Sequence, residues 1–325
     1  MSKVPITLAL SHYDRHVPFL EGTQGVEGVD LTALEVGQSA EGRHGQDRHR
    51  RMLDRGEFDA AEVSFSNYIM ALDRGAPFTA IPVIPRRLFS QSLFYTRLDS
   101  PLSGPESLIG KRVGLNTYQT TLSVLAKGDL QHVHGVPWKE ITWVVNLPEI
   151  IPFEPPKDVR IEWLPKDGPR IGQHLLDGTI DALVMPHPPK VLTTGEPKIK
   201  RLFPNPRAAE EAYYRQTGYW PIMHFIVLRN DVADRYPWLP KAIFDAYLQA
   251  KERLTHYWAD PNWSQLVWGP QYREAEQRLL GDPWKHGFAA NRVNIERFMR
   301  YSHEQGLISA PMAPERLFHA SVLDT

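Results

Sequence analysis

The chain has 325 residues, of which 42% are hydrophobic, so its length favours two domains and its composition argues against disorder. Its 37 Lys and Arg residues nearly balance 38 Asp and Glu residues, which speaks against nucleic acid or a membrane surface as the main partner. There is no cysteine, so disulfides, thiol nucleophiles and cysteine-based metal sites are excluded.

The first part of the chain alternates between strand and helix patterns. Runs of β-branched and apolar residues predict strands at Val4–Leu10, Leu31–Val36, Asp59–Phe65 and Phe78–Ile84. Helical spacing that ends near an Arg-Gly pair predicts helices at Gln46–Leu53 and Asn67–Leu72. This alternation indicates βαβ units around a mainly parallel sheet.

A turn-rich segment, Ser100–Pro105, separates this part from a second α/β pattern. The predicted elements that follow are the strands Lys111–Asn116, Ile141–Val145 and Ile180–Met185, the helices Thr121–His134 and Ile171–Leu176, the strand His224–Leu228 and the long helix Leu239–Tyr257.

The element order predicts two lobes and a mostly helical C-terminal region. Lobe one comprises residues 1–92 and 222–325, and lobe two comprises residues 93–221. Two hinge crossings permit closure around a ligand. Ligands of open α/β sheets bind beyond the carboxyl ends of the strands, so we expect the site in the cleft between the lobes.

Several short motifs occur in a fixed order along nearly the whole chain. Together they resemble the 4,5-dihydroxyphthalate decarboxylase family, which implies a two-lobed α/β fold of the periplasmic-binding-protein type 2 class. The motifs include Phe58-Asp59-Ala60-Ala61-Glu62-Val63-Ser64, Phe78-Thr79-Ala80-Ile81-Pro82-Val83, Gly110-Lys111-Arg112-Val113-Gly114, Pro221-Ile222-Met223-His224 and Asn291-Arg292. The stretch Arg87–Ser92 lacks the histidines expected there, which is where we expect a difference of substrate to lie.

The resemblance implies a carboxy-lyase that decarboxylates a hydroxylated aromatic carboxylic acid such as 4,5-dihydroxyphthalate. This reaction needs cations for the carboxylates, polar groups for the phenols and a proton for the ring carbon. No organic cofactor is expected. The candidate catalytic residues are His224, His12, Glu62 and His187.

The loop after the first predicted strand offers several candidates. Arg15 is expected to bind a carboxylate beside Tyr13, and His12 or His16 to donate a proton. A solvated loop is the alternative. His12, Asp14 and His16 also leave a divalent metal site open, although such spacing is common by chance.

Further candidates lie toward the end of the third predicted strand and just after the fourth. Glu62 should be partly desolvated, which would raise its pKa and suit acid or base chemistry, unless it pairs structurally with an arginine. Ser64 ends the same predicted strand and is expected to bind substrate. Ser66 and Asn67 open the next helix, where Asn67 is expected to bind substrate and an N-cap is the alternative. Of two adjacent arginines, we expect Arg87 rather than Arg86 to hold a carboxylate.

The predicted second lobe contributes a strand-to-helix loop at residues 116–121. Asn116, Tyr118 and Thr120 are expected to bind substrate there, with helix capping as the alternative. His187 and His224 each lie beside a predicted strand and are proton-donor candidates, since histidine titrates near neutrality.

Two other function classes remain open at this point. One is a non-catalytic binding protein for a small carboxylate, of the kind that serves ABC transporters. The other is a different enzyme on the same fold, such as menaquinone-pathway or thiamine-pyrimidine enzymes. The start of the chain does not resemble a secretory signal, so a cytoplasmic location is expected. The aromatic-rich C-terminal region leaves a homo-oligomer open.

Overall fold

A computed structural model of the chain describes residues 2–37 and 43–325 and divides into two compact units. Unit 1 comprises Met1–Arg87, Ile222–Ile295 and Met312–Thr325, and unit 2 comprises Leu88–Pro221 and Glu296–Pro311.

The unit boundaries differ from the lobes expected from the sequence at residues 88–92 and 296–311, which belong to unit 2. Contacts within unit 2 explain this. The hydroxyl of Ser90 donates to Asp129 at 2.9 Å. A Cβ added at Gly128 would lie 2.0 Å from the ring of Tyr301, so the backbone there lies directly against this residue of the C-terminal region.

Eleven strands form over the described residues. They are β1 (Val4–Leu10), β2 (Val29–Glu35), β3 (Ala60–Ser64), β4 (Phe78–Arg87), β5 (Phe94–Arg97), β6 (Arg112–Leu115), β7 (Thr142–Val145), β8 (Ile161–Trp163), β9 (Ala182–Val184), β10 (Ile199–Arg201) and β11 (Ile222–Arg229).

Eleven α-helices accompany these strands in the same described part of the chain. They are α1 (Val17–Leu20), α2 (Arg48–Arg55), α3 (Phe65–Asp73), α4 (Thr121–His132), α5 (Ile171–Leu176), α6 (Lys190–Thr193), α7 (Pro206–Thr217), α8 (Asn230–Arg235), α9 (Leu239–Ala259), α10 (Gly269–Leu280) and α11 (Arg292–Glu304).

Each unit contains one mixed sheet. The unit 1 sheet has the order β2-β1-β3-β11-β4, in which β1 pairs in parallel with β2 and β3, while β11 is antiparallel to β3 and β4. The unit 2 sheet has the order β10-β5-β9-β6-β7-β8. Two α/β units with helices beside their sheets confirm the predicted fold class.

Strand β4 is irregular where it passes β11. Ile81 pairs with Ile226 and Arg86 pairs with His224, so β4 holds extra residues between the two pairs. Two of these residues are prolines, which cannot donate a ladder hydrogen bond. Bulges of this kind redirect neighbouring side chains and occur beside active sites.

No helix in the described ranges is both long and apolar enough to cross a membrane.

Candidate active site

The site begins with a carboxylate in a strand whose residues are all buried. Strand β3 has the sequence Ala-Ala-Glu-Val-Ser, and Glu62 at its centre is fully buried. Glu62 and Ser64 are two positions apart, so they share one face of the sheet. His224 of β11 pairs directly with Ser64 and therefore lies on that face.

The Glu62 carboxylate is fully engaged by its neighbours. Oε1 lies 2.5 Å from Nδ1 of His224. Oε2 lies 3.0 Å from a guanidinium nitrogen of Arg48 and accepts a hydrogen bond from the backbone N–H of Ser11 at 3.1 Å. Nδ1 of His16 lies 4.0 Å from the same oxygen. A buried charge is tolerated when it is paired and hydrogen-bonded in this way.

Arg48 joins the carboxyl ends of three parallel strands. It is the first residue of α2, and its side chain is buried. It donates to the hydroxyl of Ser11 after β1 at 2.8 Å, to the carbonyl oxygen of Val36 after β2, and to the carbonyl oxygen of Glu62 in β3 at 2.6 Å. This edge of the sheet is where ligands of open α/β folds bind.

The surroundings determine the protonation states of Glu62 and His224. Burial alone would raise the pKa of Glu62, but the charge of Arg48 and the hydrogen bond from His224 hold that pKa well below its usual value, so the alternative of pairing with an arginine applies. Burial lowers the pKa of His224 to about 4, although Glu62 opposes this change. At neutral pH Glu62 is therefore ionised and His224 is neutral.

These charge states determine the tautomer of His224. An ionised carboxylate only accepts hydrogen bonds, so Nδ1 of His224 carries the proton and donates it to Glu62. The other ring nitrogen, Nε2, then carries a lone pair. A carboxylate that orients an imidazole in this way and stabilises its protonated form makes a general base.

Two further cationic or imidazole groups lie near His224. The ring of His49, the second residue of α2, contacts the His224 ring edge to face at 5.0 Å between centroids. Arg86 pairs with His224 in the β4–β11 register, which places both on one face. Arg86 is partly exposed. Within residues 2–37 and 43–325, no carboxylate lies at ion-pair distance from its guanidinium.

Arg87 differs from the expectation. Its side chain is buried and donates to the carbonyl oxygen of Lys285 at 2.8 Å and to the Asn291 side chain at 2.6 Å. The β4–β11 register is irregular here: Arg87 pairs with Ile222 and is held by these buried partners, whereas Arg86 pairs with His224. The guanidinium expected at the site is therefore that of Arg86.

Arg15 and Tyr13 lie in unit 1, in the loop after β1. The Arg15 guanidinium stacks between the rings of Tyr13 and Trp284, at 4.3 and 4.4 Å from their centroids. It also donates to the carbonyl oxygen of Pro85 and pairs with Asp14 at 2.9 Å. These contacts fix the guanidinium in place while part of it stays exposed.

The structure does not bring His12, Asp14 and His16 together. The His12 side chain is 50% exposed and lies 3.3 Å from Glu35, whereas His16 is buried and bonds the carbonyl oxygen of Ser11 at 2.8 Å. No group of three or more His, Cys, Asp or Glu side chains in the described ranges has the arrangement of a metal site.

The loop at residues 116–121 lies in unit 2, and its backbone N–H groups have a partner from the chain itself. The Glu149 carboxylate accepts from the N–H of Tyr118 at 2.7 Å and from that of Gln119 at 3.4 Å. The Tyr118 ring is fully buried and stacks on Phe153, and the Thr120 hydroxyl caps α4. Thr120 therefore caps the helix, as the alternative expected, whereas the ring of Tyr118 packs in the interior.

The remaining predicted residues are divided between the units. Ser64 and Asn67 are buried in unit 1, at the end of β3 and in the first turn of α3. In unit 2, Asn116 follows β6, and His187 is exposed in the turn between β9 and α6. Of the predicted residues, the structure brings together Glu62, Ser64 and His224.

His49 and Arg86 are site residues that the sequence patterns did not indicate. The sequence indicated that only one of Arg86 and Arg87 could face the site. It did not indicate which one, because the two prolines in β4 make its pairing with the neighbouring strand irregular. His49 lies in a run of basic residues that is also typical of a solvated helix face.

Comparisons with known proteins agree with this architecture. No model of a protein family matches the sequence. The chain is 30% identical to a 4,5-dihydroxyphthalate decarboxylase of Comamonas testosteroni, over all of this chain and 99% of that protein. It is 30% identical to one of Pseudomonas putida over 67% of this chain and 84% of the relative.

Among solved structures, the periplasmic sulfonate-binding protein SsuA of Methylobacillus flagellatus KT has a TM-score of 0.59 at 14% identity, with 98% of this chain and 92% of that chain covered. This likeness shows a periplasmic-binding-protein type of fold. The 30% sequence identity over the full length shows the family as well as the fold, and this chain belongs to the 4,5-dihydroxyphthalate decarboxylase family.

Proposed function

We propose that the protein is a carboxy-lyase that decarboxylates a hydroxylated aromatic carboxylic acid such as 4,5-dihydroxyphthalate. The observation that carries this proposal is the buried Glu62–His224 pair beside Arg86. It supplies a base for a phenol and a cation for a carboxylate. The full-length likeness to the Comamonas testosteroni enzyme supports the choice of reaction.

In this mechanism, Nε2 of His224 accepts the proton of the hydroxyl para to the leaving carboxylate. The electron pair enters the ring, and the carbon that bears the carboxylate takes a proton from solvent. The bond to the carboxylate then breaks, its electron pair restores the aromatic ring, and carbon dioxide leaves. His224 returns its proton to the phenolate oxygen. Glu62 stabilises the imidazolium that forms between these steps.

Arg86 is the residue we assign to a substrate carboxylate. A guanidinium binds a carboxylate through two parallel hydrogen bonds, and Arg86 lies on the face of the sheet that carries the base. Arg15, held between two aromatic rings, is a second cation for a substrate with two carboxylates.

The electron flow runs through the substrate's own hydroxyl, so no organic cofactor is part of the proposal. A cytoplasmic location is part of it, as expected from the sequence. The roles of His12 and His187 as proton donors, and of Asn116 as a substrate ligand, stay predictions.

The test uses purified protein and 4,5-dihydroxyphthalate labelled with ¹³C in its carboxyl groups. We expect labelled carbon dioxide, and in heavy water a dihydroxybenzoate with one deuterium at the carbon that lost the carboxylate. Phthalate, which has no hydroxyl, should not react. Absence of carbon dioxide from every hydroxylated acid would overturn the proposal. A ligand bound tightly and recovered unchanged would identify a binding protein instead.

A further inference from the structure

His49 is a second imidazole at the candidate site that the mechanism above does not use. It lies at the start of α2, and the residue as a whole is partly exposed. Its centroid is 5.0 Å from that of His224, with 73° between the ring planes. Two imidazoles this close cannot both be charged without cost, and their protons must be arranged compatibly.

The backbone determines where the proton of His49 is. The N–H of Ser64 lies 3.1 Å from Nδ1 of His49 and can only donate. Nδ1 must therefore present its lone pair, and the ring proton of His49 is on Nε2. Burial lowers the pKa of His49 well below its ordinary value, with the charge of Arg48 adding to the effect, so the ring is neutral at pH 7.

His224 has the opposite arrangement. Its Nδ1 donates to Glu62 at 2.5 Å, so its Nε2 carries the lone pair. The two adjacent rings thus offer one Nε2–H that donates and one Nε2 that accepts. Neither Nε2 atom has a hydrogen-bond partner within residues 2–37 and 43–325.

We propose that this donor–acceptor pair binds two neighbouring oxygens of an ortho-dihydroxy aromatic ring. His224 accepts the proton of the hydroxyl that becomes a phenolate. His49 donates its Nε2–H to the adjacent oxygen and selects substrates that carry it. The inference rests on the proposed function, and it makes His49 a specificity-determining residue of that reaction.

In this arrangement the second histidine orients the substrate toward the first. A catechol that loses one proton has an anionic oxygen next to a neutral hydroxyl oxygen. A donor at the second oxygen holds the ring in the orientation that presents the first oxygen to the base. A monohydroxy ring lacks the second contact, and a neutral hydrogen bond of this kind is worth roughly tenfold in affinity.

The test measures binding rather than turnover, so that its failure differs from failure of the proposed function. The ligands are 3,4-dihydroxybenzoate and 4-hydroxybenzoate, which share the hydroxyl para to the carboxylate and differ only in the second hydroxyl. Calorimetry should show that the wild-type protein prefers the dihydroxy ligand by about tenfold.

His49→Ala should abolish this preference and leave the affinity for 4-hydroxybenzoate nearly unchanged. His49→Gln, whose amide nitrogen approximates the Nε2–H donor, should retain part of it. His256→Ala, at an exposed position of α9, is the matched control and should behave as wild type. Circular dichroism of each variant checks that it is folded.

A readout independent of ligands is the nitrogen-15 spectrum of the two rings. We expect the Nε2–H tautomer for His49 and the Nδ1–H tautomer for His224. The same tautomer for both rings overturns the proposal. So does an undiminished preference in His49→Ala, or an equal loss for both ligands, even where the wild-type protein decarboxylates its substrate.

Discussion

Glu62 illustrates how a single residue combines stability and chemistry in this molecule. Its carboxylate balances the buried charge of Arg48 and orients His224 through one short hydrogen bond. Removing one member of a buried ion pair leaves the other charge uncompensated. The same carboxylate is required when His224 takes up a proton.

Glu62→Gln should therefore lower both activity and stability. We expect kcat to fall by about 10²–10⁴-fold, since a neutral amide does not stabilise an imidazolium. The free energy of unfolding should fall by about 3–5 kcal/mol, because Arg48 loses its counter-ion. Steady-state kinetics and urea unfolding measure the two effects.

Glu57→Gln, at a surface ion pair with Arg51, is the control and should change neither kcat nor the free energy of unfolding. Wild-type kcat in Glu62→Gln would refute the role assigned to Glu62.

Arg86 and Arg87 are adjacent in sequence and have different surroundings. Arg86→Met should raise KM by about 10–100-fold without loss of stability, since it removes a charged contact to substrate only. Arg87→Met should lower the free energy of unfolding by about 1.5–3 kcal/mol, because its bonds to Lys285 and Asn291 join β4 to the C-terminal region. Kinetics and thermal unfolding of both variants test the contrast, and a reversed pattern would restore Arg87 as the substrate residue.

At the scale of elements, the sequence allowed the strands to be predicted better than the contacts between them. The runs at Val4–Leu10 and Asp59–Phe65 correspond to β1 and β3, because apolar β-branched runs between breakers leave little choice. A glutamate inside the second run marked the site. The pairing of β11 with β3 and β4 was not readable, because it joins distant parts of the chain.

The strand-to-helix loop at residues 116–121 shows a second limit of sequence reasoning. The pattern of hydroxyls and exposed N–H groups before α4 is typical of an anion site. The anion in this structure is Glu149, which follows β7, and its position depends on how β6 and β7 lie side by side. A local pattern predicts the chemistry of such a loop but not whether the protein supplies its own ligand.

The contact between α4 and the C-terminal region depends on a glycine. Alanine normally stabilises a helix interior by about 1 kcal/mol relative to glycine. At Gly128, however, the added Cβ would lie 2.0 Å from the Tyr301 ring. We expect Gly128→Ala to destabilise the protein by about 1–3 kcal/mol or more in urea unfolding. Gly25→Ala, where nothing lies within 4 Å, is the control. Stabilisation by Gly128→Ala would contradict this packing.

For the whole molecule, the two units bury ionisable groups that respond to pH in opposite directions. In unit 1, burial lowers the pKa of His16 and His224 to about 4 and that of His286 to about 3. In unit 2, burial raises the pKa of Asp129 to about 7, although the hydroxyls of Ser90 and Tyr213 favour its charged form.

Unit 1 should become less stable as the pH falls. Unfolded histidine titrates near pH 6.5, so below that pH the unfolded chain binds protons that folded unit 1 excludes. Its free energy of unfolding should fall between pH 6.5 and about 4, by about 1.4 kcal/mol per pH unit for each such histidine. Hydrogen exchange in β3 and β11 at pH 7 and pH 5, corrected for intrinsic rates, measures this. Equal protection at both pH values would contradict it.

The effect of pH on stability has the opposite sign for Asp129. The variant Asp129→Asn separates this effect from that of Lys127 in the same helix, whose pKa is lowered by burial. The favourable contribution of Asp129 is present below about pH 4, where it is protonated in both states, and is lost as the pH rises toward 7. The asparagine variant has no such titration. Relative to wild type, its stability should therefore increase by about 1.4 kcal/mol per pH unit over this range. Urea unfolding of both proteins at pH 5 and pH 7 tests the slope. A difference that is the same at both pH values would show that Asp129 is ionised in the folded protein.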